Sequence, residues 1–251
     1  MPAVAVVIPV LNDQHRLPGL LESLQAQDCL PEEVIIVSAG ALPDYTPEFS
    51  LPISVIKNPS GAIPAALNIG IGAAQSEIIL RMDVHARPFA DYTRLCLDAL
   101  EGSGADVVGG HLEIEPGGEG DVAAAIALAV GHPLGAGDAR YRLQSPHRAG
   151  EVDTVPFGCY RKTTWERLGG YDESLLANED YEFHWRVRAA GWRVYFDPAI
   201  RVAYYARATL GELARQYFRY GGGRRRCCAA IRARCAGGRR CPPSRWPLSS
   251  F

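Results

Sequence analysis

The order of apolar segments across the first 110 residues constrains the fold most. Residues 4–10, Val-Ala-Val-Val-Ile-Pro-Val, form an unbroken apolar run of strand length. A strand that is apolar on every residue needs cover on both faces, the condition of a central strand in a parallel sheet. Leu17, Leu20, Leu21 and Leu24 follow at the i, i+3, i+4, i+7 spacing of an amphipathic helix. Residues 33–37 and 52–56 read as a second and third strand, with a loop marked by Pro43, Asp44 and Pro47 between them. Residues 62–74 are helical in composition, although Gly70 and Gly72 weaken the end of that segment. A fourth apolar run occupies 78–82, and Tyr92, Leu95, Cys96, Ala99 and Leu100 give another helical stripe before a short strand at 106–108. Strand and helix alternate with short links, which predicts an α/β fold with a doubly wound, mostly parallel sheet flanked by helices.

The chain has 251 residues, 47% of them hydrophobic, enough for one large core or a core with an appendage. No run approaches the roughly 18 apolar residues of a membrane span. The start, Met1-Pro2-Ala3-Val4, passes directly into a strand without a basic region, so no signal peptide is expected and the expected compartment is the cytoplasm. The net charge of −2 hides an asymmetry. Eight arginines and no acidic residue lie beyond Tyr220; taken from 26 basic residues they leave 18 against 28 acidic ones, a net −10 for residues 1–220. Cys29, Cys96 and Cys159 are scattered without metal-ligand spacing and read as reduced thiols.

The stretch 76–88, Ser-Glu-Ile-Ile-Leu-Arg-Met-Asp-Val-His-Ala-Arg-Pro, changes from apolar to polar halfway and ends on a proline. Ligands of open α/β sheets bind just beyond the carboxyl ends of strands, the position of Asp83 and His85. One residue apart on an extended chain, the two side chains fall on the same side and together suit a divalent cation. An ordinary polar strand end is the alternative. No G-x-G-x-x-G follows the first strand and there is no P-loop, so a cation at Asp83 and His85 would be the phosphate device.

These segments resemble the family-two inverting glycosyltransferases. Residues 6–13, Val-Val-Ile-Pro-Val-Leu-Asn-Asp, are similar to the family's opening strand, and Ala66-Leu67-Asn68-Ile69-Gly70 to the helix before its metal strand. Arg81-Met82-Asp83-Val84-His85-Ala86 resembles the Asp-x-Asp metal motif in an Asp-x-His-Ala form, as in the subgroup of succinoglycan-type exopolysaccharide glucosyltransferases. The likeness continues through residues 155–158, 168–173, Asn178-Glu179-Asp180 and 216–221, about 220 residues in consistent order. It implies an A-type, Rossmann-like fold with a nucleotide-sugar half at 1–110 and an acceptor-binding, catalytic half at 111–221. It also implies donor contacts at Pro9, Asn12, Asp13, Ser38, Asn68, Arg81 and Asp83. The cation, Mn²⁺ or Mg²⁺, would be held by Asp83 and His85, with Asp83 on the metal or the ribose; imidazole suits Mn²⁺ better. Where the family commonly has Asp-Asp-Gly-Ser after a strand, this chain has Ser38-Ala39-Gly40-Ala41, which weakens the expectation of a uridine base; Asp44 is a possible substitute.

The segment 111–150 is rich in Gly, Pro and Ala and reads as a mobile acceptor-side lid or a variable insertion. Asn178 suits the N-cap of a helix over 179–190, and two acids in its first turn satisfy the helix dipole without any catalytic role. The resemblance makes Asp180 the catalytic base and Glu179 the residue that orients the acceptor. His184, one turn on, reads as packed or on the helix surface. Thr209 looks like the N-cap of a last helix ending at Tyr220. Gln216, Arg219 and Tyr220, with Gly158, would face the acceptor or the diphosphate. From Gly222 the chain shows neither apolar period nor plausible core, and 222–251 reads as a basic, Cys- and Arg-rich tail, disordered or out of frame.

The expected partners are therefore a nucleotide sugar, a UDP-sugar by preference, and a saccharide or lipid-linked acceptor, with peripheral contact at the inner face of the cell membrane and no nucleic acid. A sugar nucleotidyltransferase would need a Gly-rich signature near the first strand, which Pro9-Val10-Leu11-Asn12 does not supply. A catalytically silent binding module is opposed by retention of both Asp83-Val84-His85 and Glu179-Asp180.

Overall fold

The structure is a computed structural model that describes residues 2–11, 13–42, 48–136, 139–143 and 148–236. The elements in chain order are β1 Val4–Val10, α1 Leu17–Gln25, β2 Glu33–Ser38, β3 Ile53–Lys57, α2 Ile63–Ala73, β4 Ile78–Arg81, β5 Ala86–Pro88, α3 Tyr92–Ser103 and β6 Val107–Glu115. They continue with α4 Asp121–Gly131, the short turn α5 Pro133–Ala136, β7 Gly150–Glu151, β8 Cys159–Arg161, α6 Lys162–Leu168, α7 Glu179–Ala189, β9 Val194–Tyr205 and α8 Leu210–Ala236. The sheet runs β3-β2-β1-β4-β8-β6-β9-β5, with β7 paired to β9.

The apolar run of β1 is buried along its whole length because helices cover both of its faces. Val4, Val6, Ile8 and Val10 pack with Leu17, Leu20, Leu21 and Leu24 of α1, whereas Ala5 and Val7 pack with Ala66, Leu67 and Ile71 of α2. Gly70 lets α2 lie close to the sheet: a Cβ there would come 2.5 Å from Val7 Cγ1 and 2.9 Å from Val37 Cγ2. The pairs β3-β2, β2-β1 and β1-β4 are parallel, as the alternation predicts. Beyond β4 the sheet is mixed: β8 is antiparallel to both β4 and β6, while β6 and β9 run parallel. Pro88 lies in the edge strand β5, where a missing N–H is tolerated. Pro9 lies in a central strand, but β4 pairs β1 only as far as Val7↔Arg81. Beyond that point β1 and β4 part, and a crevice opens at the reversal of strand order.

Several boundaries differ from the sequence reading. The short strand expected at 106–108 runs on to Glu115, and the two strands expected around Asp197-Pro198 are one, β9, with a register shift opposite Gly110/His111. Thr209 does cap the last helix, reciprocally with Glu212: Glu212 N donates to Thr209 Oγ1 at 3.2 Å and Thr209 N to Glu212 Oε2 at 3.3 Å. That helix does not stop at Tyr220, and the expected lack of structure from 222 is corrected for residues 222–236. Gln216, Gly223, Cys227 and Ile231 form its buried stripe, and Cys227 and Ile231 pack with Leu175 and Trp185. Glycine and cysteine at these positions hid the period. Residues 237–251 lie outside the described residues.

Candidate active site

β4 delivers Arg81 to the floor of the crevice, where its backbone N–H donates to Gly158 O at 3.2 Å. Its buried guanidinium reaches two carboxylates in the first turn of α7: Nη2 lies 3.3 Å from Glu179 Oε1 and Nη1 3.4 Å from Asp180 Oδ2. The Phe157 ring centroid lies 5.4 Å from it. Burial opposes this charge, but Asp180, Glu179 and Asp83 together outweigh that cost and raise the pKa, so Arg81 is a fixed cation. Arg81, expected among the donor contacts, thus makes its ion pairs with the two acids at the start of α7.

The two acids differ. The Glu179 side chain is 10% exposed and that of Asp180 22%. Burial, then repulsion by Asp180, pushes Glu179 up to about 7, partly offset by Arg81. Asp180 is also raised by burial, but Arg81 and a hydrogen bond from Tyr171 pull it back. The Tyr171 hydroxyl is in turn 3.0 Å from that of Tyr160. Of the two acids, then, Glu179 keeps its proton the more readily, and Asp180, the better compensated by Arg81 and Tyr171, gives its proton up the more readily.

Two non-glycine residues with positive φ flank this pair, Phe157 (φ 48°) and Asn178 (φ 64°). Asn178 is therefore not the expected side-chain N-cap; it makes no capping bond, and its Nδ2 donates to Tyr220 O at 3.3 Å. Left-handed backbone costs little for asparagine but about 1–3 kcal/mol for a bulky residue. Phe157 keeps that conformation while its ring stays buried beneath Arg81.

Asp83 and His85 are brought together by a turn after β4, not by an extended strand. The His85 N–H donates to Asp83 Oδ1 at 2.9 Å, and Ala86 N to Asp83 O at 2.9 Å. Asp13, from the segment after β1, lies across the crevice with Oδ2 3.0 Å from His85 Nε2. Arg207, just past β9, completes the group at 3.7 Å from Asp13 Oδ2 and 3.3 Å from His85 Nε2. Burial lowers the His85 pKa, so the ring is neutral. Asp13 favours the tautomer with the proton on Nε2 and Arg207 the other, while Nδ1 is buried without a partner among the described residues. A carboxylate that pins one ring nitrogen and leaves the other for ligation is the usual outer support of a metal-binding histidine. Among the described residues no three His, Cys, Asp or Glu side chains converge on one point. Asp83 and His85 therefore fit a cation that draws its other ligands from phosphate and water.

The other expected residues divide. Pro9 and Ser38 are buried at the crevice ends of β1 and β2, and Ser38 Oγ accepts from Gly40 N at 3.3 Å. Asn68 is spent on structure: it donates to Tyr171 O and Glu173 Oε1 and accepts from Trp165 Nε1 and Tyr171 N, its full capacity. Gly158 is a packing glycine, since a Cβ there would lie 3.1 Å from Val107 Cγ1 and 3.3 Å from His184 Nε2. His184 is packed as expected, 2.8 Å from Thr154 Oγ1 and driven by burial down to about 3. Gln216 is buried and donates to Tyr220 Oη at 3.0 Å, while Arg219 is exposed. Asn12 and Asp44 lie outside the described residues. Arg207 carried no sequence signal, being a lone residue in a segment without motif or period; Tyr171 lies in the family-like string 168–173, which assigns it no role.

The family model described as glycosyl transferase family 2 matches residues 5–155. The succinoglycan biosynthesis protein ExoA of Rhizobium meliloti (strain 1021) is 31% identical over 87% of this chain and 68% of its own length. The pre-mycofactocin glycosyltransferase of Mycobacterium tuberculosis (strain ATCC 25618 / H37Rv) is 31% identical over 87% of this chain and 46% of its own. The crystal structure of S. aureus TarS 1-349 in complex with UDP superposes with a TM-score of 0.60 at 18% identity, covering 81% of this chain and 60% of that one. At that identity the likeness is one of fold. The chain thus spans between about half and two thirds of the length of these relatives.

Proposed function

The chain belongs to glycosyl transferase family 2, and we propose that it is an inverting enzyme moving a sugar from a UDP-sugar to a hydroxyl of a saccharide or lipid-linked acceptor in glycan biosynthesis. The observation that carries this reading is the ion pair of Arg81 with Asp180 at 3.4 Å, which keeps one of two buried acids ionised beside the crevice. In this reading Asp180 takes the proton of the acceptor hydroxyl as its oxygen attacks the anomeric carbon. The bond from that carbon to the diphosphate breaks on the opposite face, so configuration inverts. Glu179, the acid that keeps its proton the more readily, donates a hydrogen bond in its protonated form that orients the acceptor. Burial raises the basicity of Asp180 towards working pH, where a general base is most effective. Asp83 and His85 would hold a divalent cation, which when bound neutralises the departing diphosphate as a Lewis acid. Asp13 holds the His85 ring, and Arg207 adds a further positive charge at the same end of the crevice. The donor falls to residues 1–110 and the acceptor to 111–221 in this division.

Calorimetric titration of UDP, GDP and dTDP, with and without Mn²⁺, tests the reading. UDP is expected to bind with metal dependence, and Asp83→Ala to abolish that dependence. Unchanged affinity in the variant would remove Asp83 from the site, and absence of binding by all three would overturn the donor reading.

A further inference from the structure

A cleft of about 350 Å³ lies outside the β1–β4 crevice, between the C-terminal half of β6 and the irregular stretch of β9. His111, Glu113, Arg142, Pro198 and Arg201 line it. By sheet order it is separated from β4 by β8 and β6, so it is not the donor crevice. Two of its polar groups are unspent. Arg142 Nε is closed off from solvent and has no hydrogen-bond partner among the described residues, and the same holds for His111 Nδ1. Arg201 is engaged with Glu113 at 3.1 Å, whereas Arg142, hydrogen-bonded to Tyr141, has no carboxylate partner among the described residues.

The surroundings of Arg142 are those of a sugar site. Its guanidinium carbon is 5.6 Å from the Tyr141 ring centroid, and Tyr141, Tyr220, Tyr204 and Tyr217 are near enough to act on its charge. Tyr204 links the cleft to the reaction centre, its ring centroid 6.0 Å from that of His85. Tyr220 bonds to Gln216 and, through its carbonyl, to Asn178 at the start of the helix that carries Glu179 and Asp180. Phenol rings stack on pyranose faces and their hydroxyls bond to sugar hydroxyls. Burial lowers the pKa of His111, and a hydrogen bond to the Tyr141 backbone ties its ring to the segment that carries Arg142. A guanidinium with an unused N–H in a half-buried wall calls for an oxyanion.

We infer that this cleft is an acceptor subsite for a saccharide that carries a negative charge, with Arg142 on the oxyanion. The inference rests on the transferase reading above and adds the chemical class of the acceptor. The charge is a carboxylate of an acidic sugar or a phosphate on the sugar, and the probes separate the two.

Calorimetry on the full chain saturated with UDP, which blocks the donor crevice, compares glucuronate, glucose 1-phosphate and methyl β-glucoside. At least one anion is expected to bind roughly tenfold or more tighter than the neutral glycoside, and which one identifies the charged group. Arg142→Gln should erase that advantage while UDP affinity stays at the wild-type value, which also shows that the variant is folded. Arg142→Lys, a charge without the planar fork, should restore part of it. Equal binding of neutral and charged sugars overturns the inference, as does an advantage that survives Arg142→Gln. A loss of UDP affinity in that variant would assign Arg142 to the donor instead, and also overturns it. The two readings fail separately: no UDP binding sinks the donor site, whereas the comparison of neutral with charged sugars judges the cleft in either case.

Discussion

Glu179 and Asp180 are neighbours in one helical turn, share one arginine and are both raised by burial, yet Arg81 and Tyr171 compensate Asp180 better than Arg81 compensates Glu179. Asp180→Asn keeps the shape and removes the base, so transfer should fall roughly 10²-fold or more while UDP binding stays intact. Wild-type turnover in that variant would refute the assignment. Glu179 makes a separate prediction for stability against pH. In the unfolded chain its carboxyl loses the proton at the ordinary glutamate pKa, but in the folded protein it holds the proton up to about 7. Between those values the folded state binds more protons, so stability falls as pH rises through this window and levels off above it. Glu179→Gln should reduce the fall in thermal midpoint between pH 5 and pH 8; an unchanged slope would mean that Glu179 is not raised. The acid pair and the nearness of Asp83 to His85 were legible in the sequence because their members are one or two residues apart, although the sequence suggests extended chain where a turn joins Asp83 and His85. Arg207 and Arg142 were not, because they reach their sites by long-range folding from segments without motif or period. Asn68 and Gly158 misled for the converse reason, lying in motif-like strings while serving packing and backbone ties.

Among elements, the strands and helices of the first half could be read because apolar residues mark their buried faces directly. The last helix could not be read to its end. Beyond Tyr220 its inner face is Gly223, Cys227 and Ile231, joined by Arg234, whose Nη2 lies 2.9 Å from Asp172 Oδ2 and whose Nε lies 3.3 Å from Glu182 Oε1. Glu182 is fully buried on α7, one turn beyond Glu179, and is already held by Arg186 at 2.8 Å. The stretch 222–236 thus braces the helix that presents Asp180. Ile231→Ala, which empties a buried contact with Trp185 and Leu175, should cost about 2 kcal/mol or more in chemical denaturation. An unaltered denaturation midpoint would return this stretch to the disordered tail that its composition suggests.

At the scale of the whole molecule, two half-sheets are joined, and the joint decides whether a site exists. The parallel half, β3-β2-β1-β4, supplies Asp13, Arg81 and the Asp83/His85 turn; β8 then couples it to β6 and β9, which bring Tyr204 and Arg207 back to the crevice. This mixed half was only partly legible, since β8 has three residues and the return of β9 depends on a register shift that no local pattern encodes. The shift sits at Gly110, where an added Cβ would overlap the Ile200 carbonyl oxygen and crowd the Ile200 side chain. Overpacking against side chains costs about 1–3 kcal/mol, and here backbone must move as well. Gly110→Ala is therefore expected to lose at least about 2 kcal/mol of stability by denaturant titration. The retained folded fraction should also bind UDP more weakly, because Arg207 reaches the crevice at the end of the displaced strand. Gly102→Ala is the matched control: it lies in α3 with nothing within 4 Å of the new Cβ, and should be neutral or stabilising by about 0.5–1 kcal/mol. If Gly110→Ala behaved like Gly102→Ala in both measurements, the bulge would not be the joint that carries β9 to the donor end of the site.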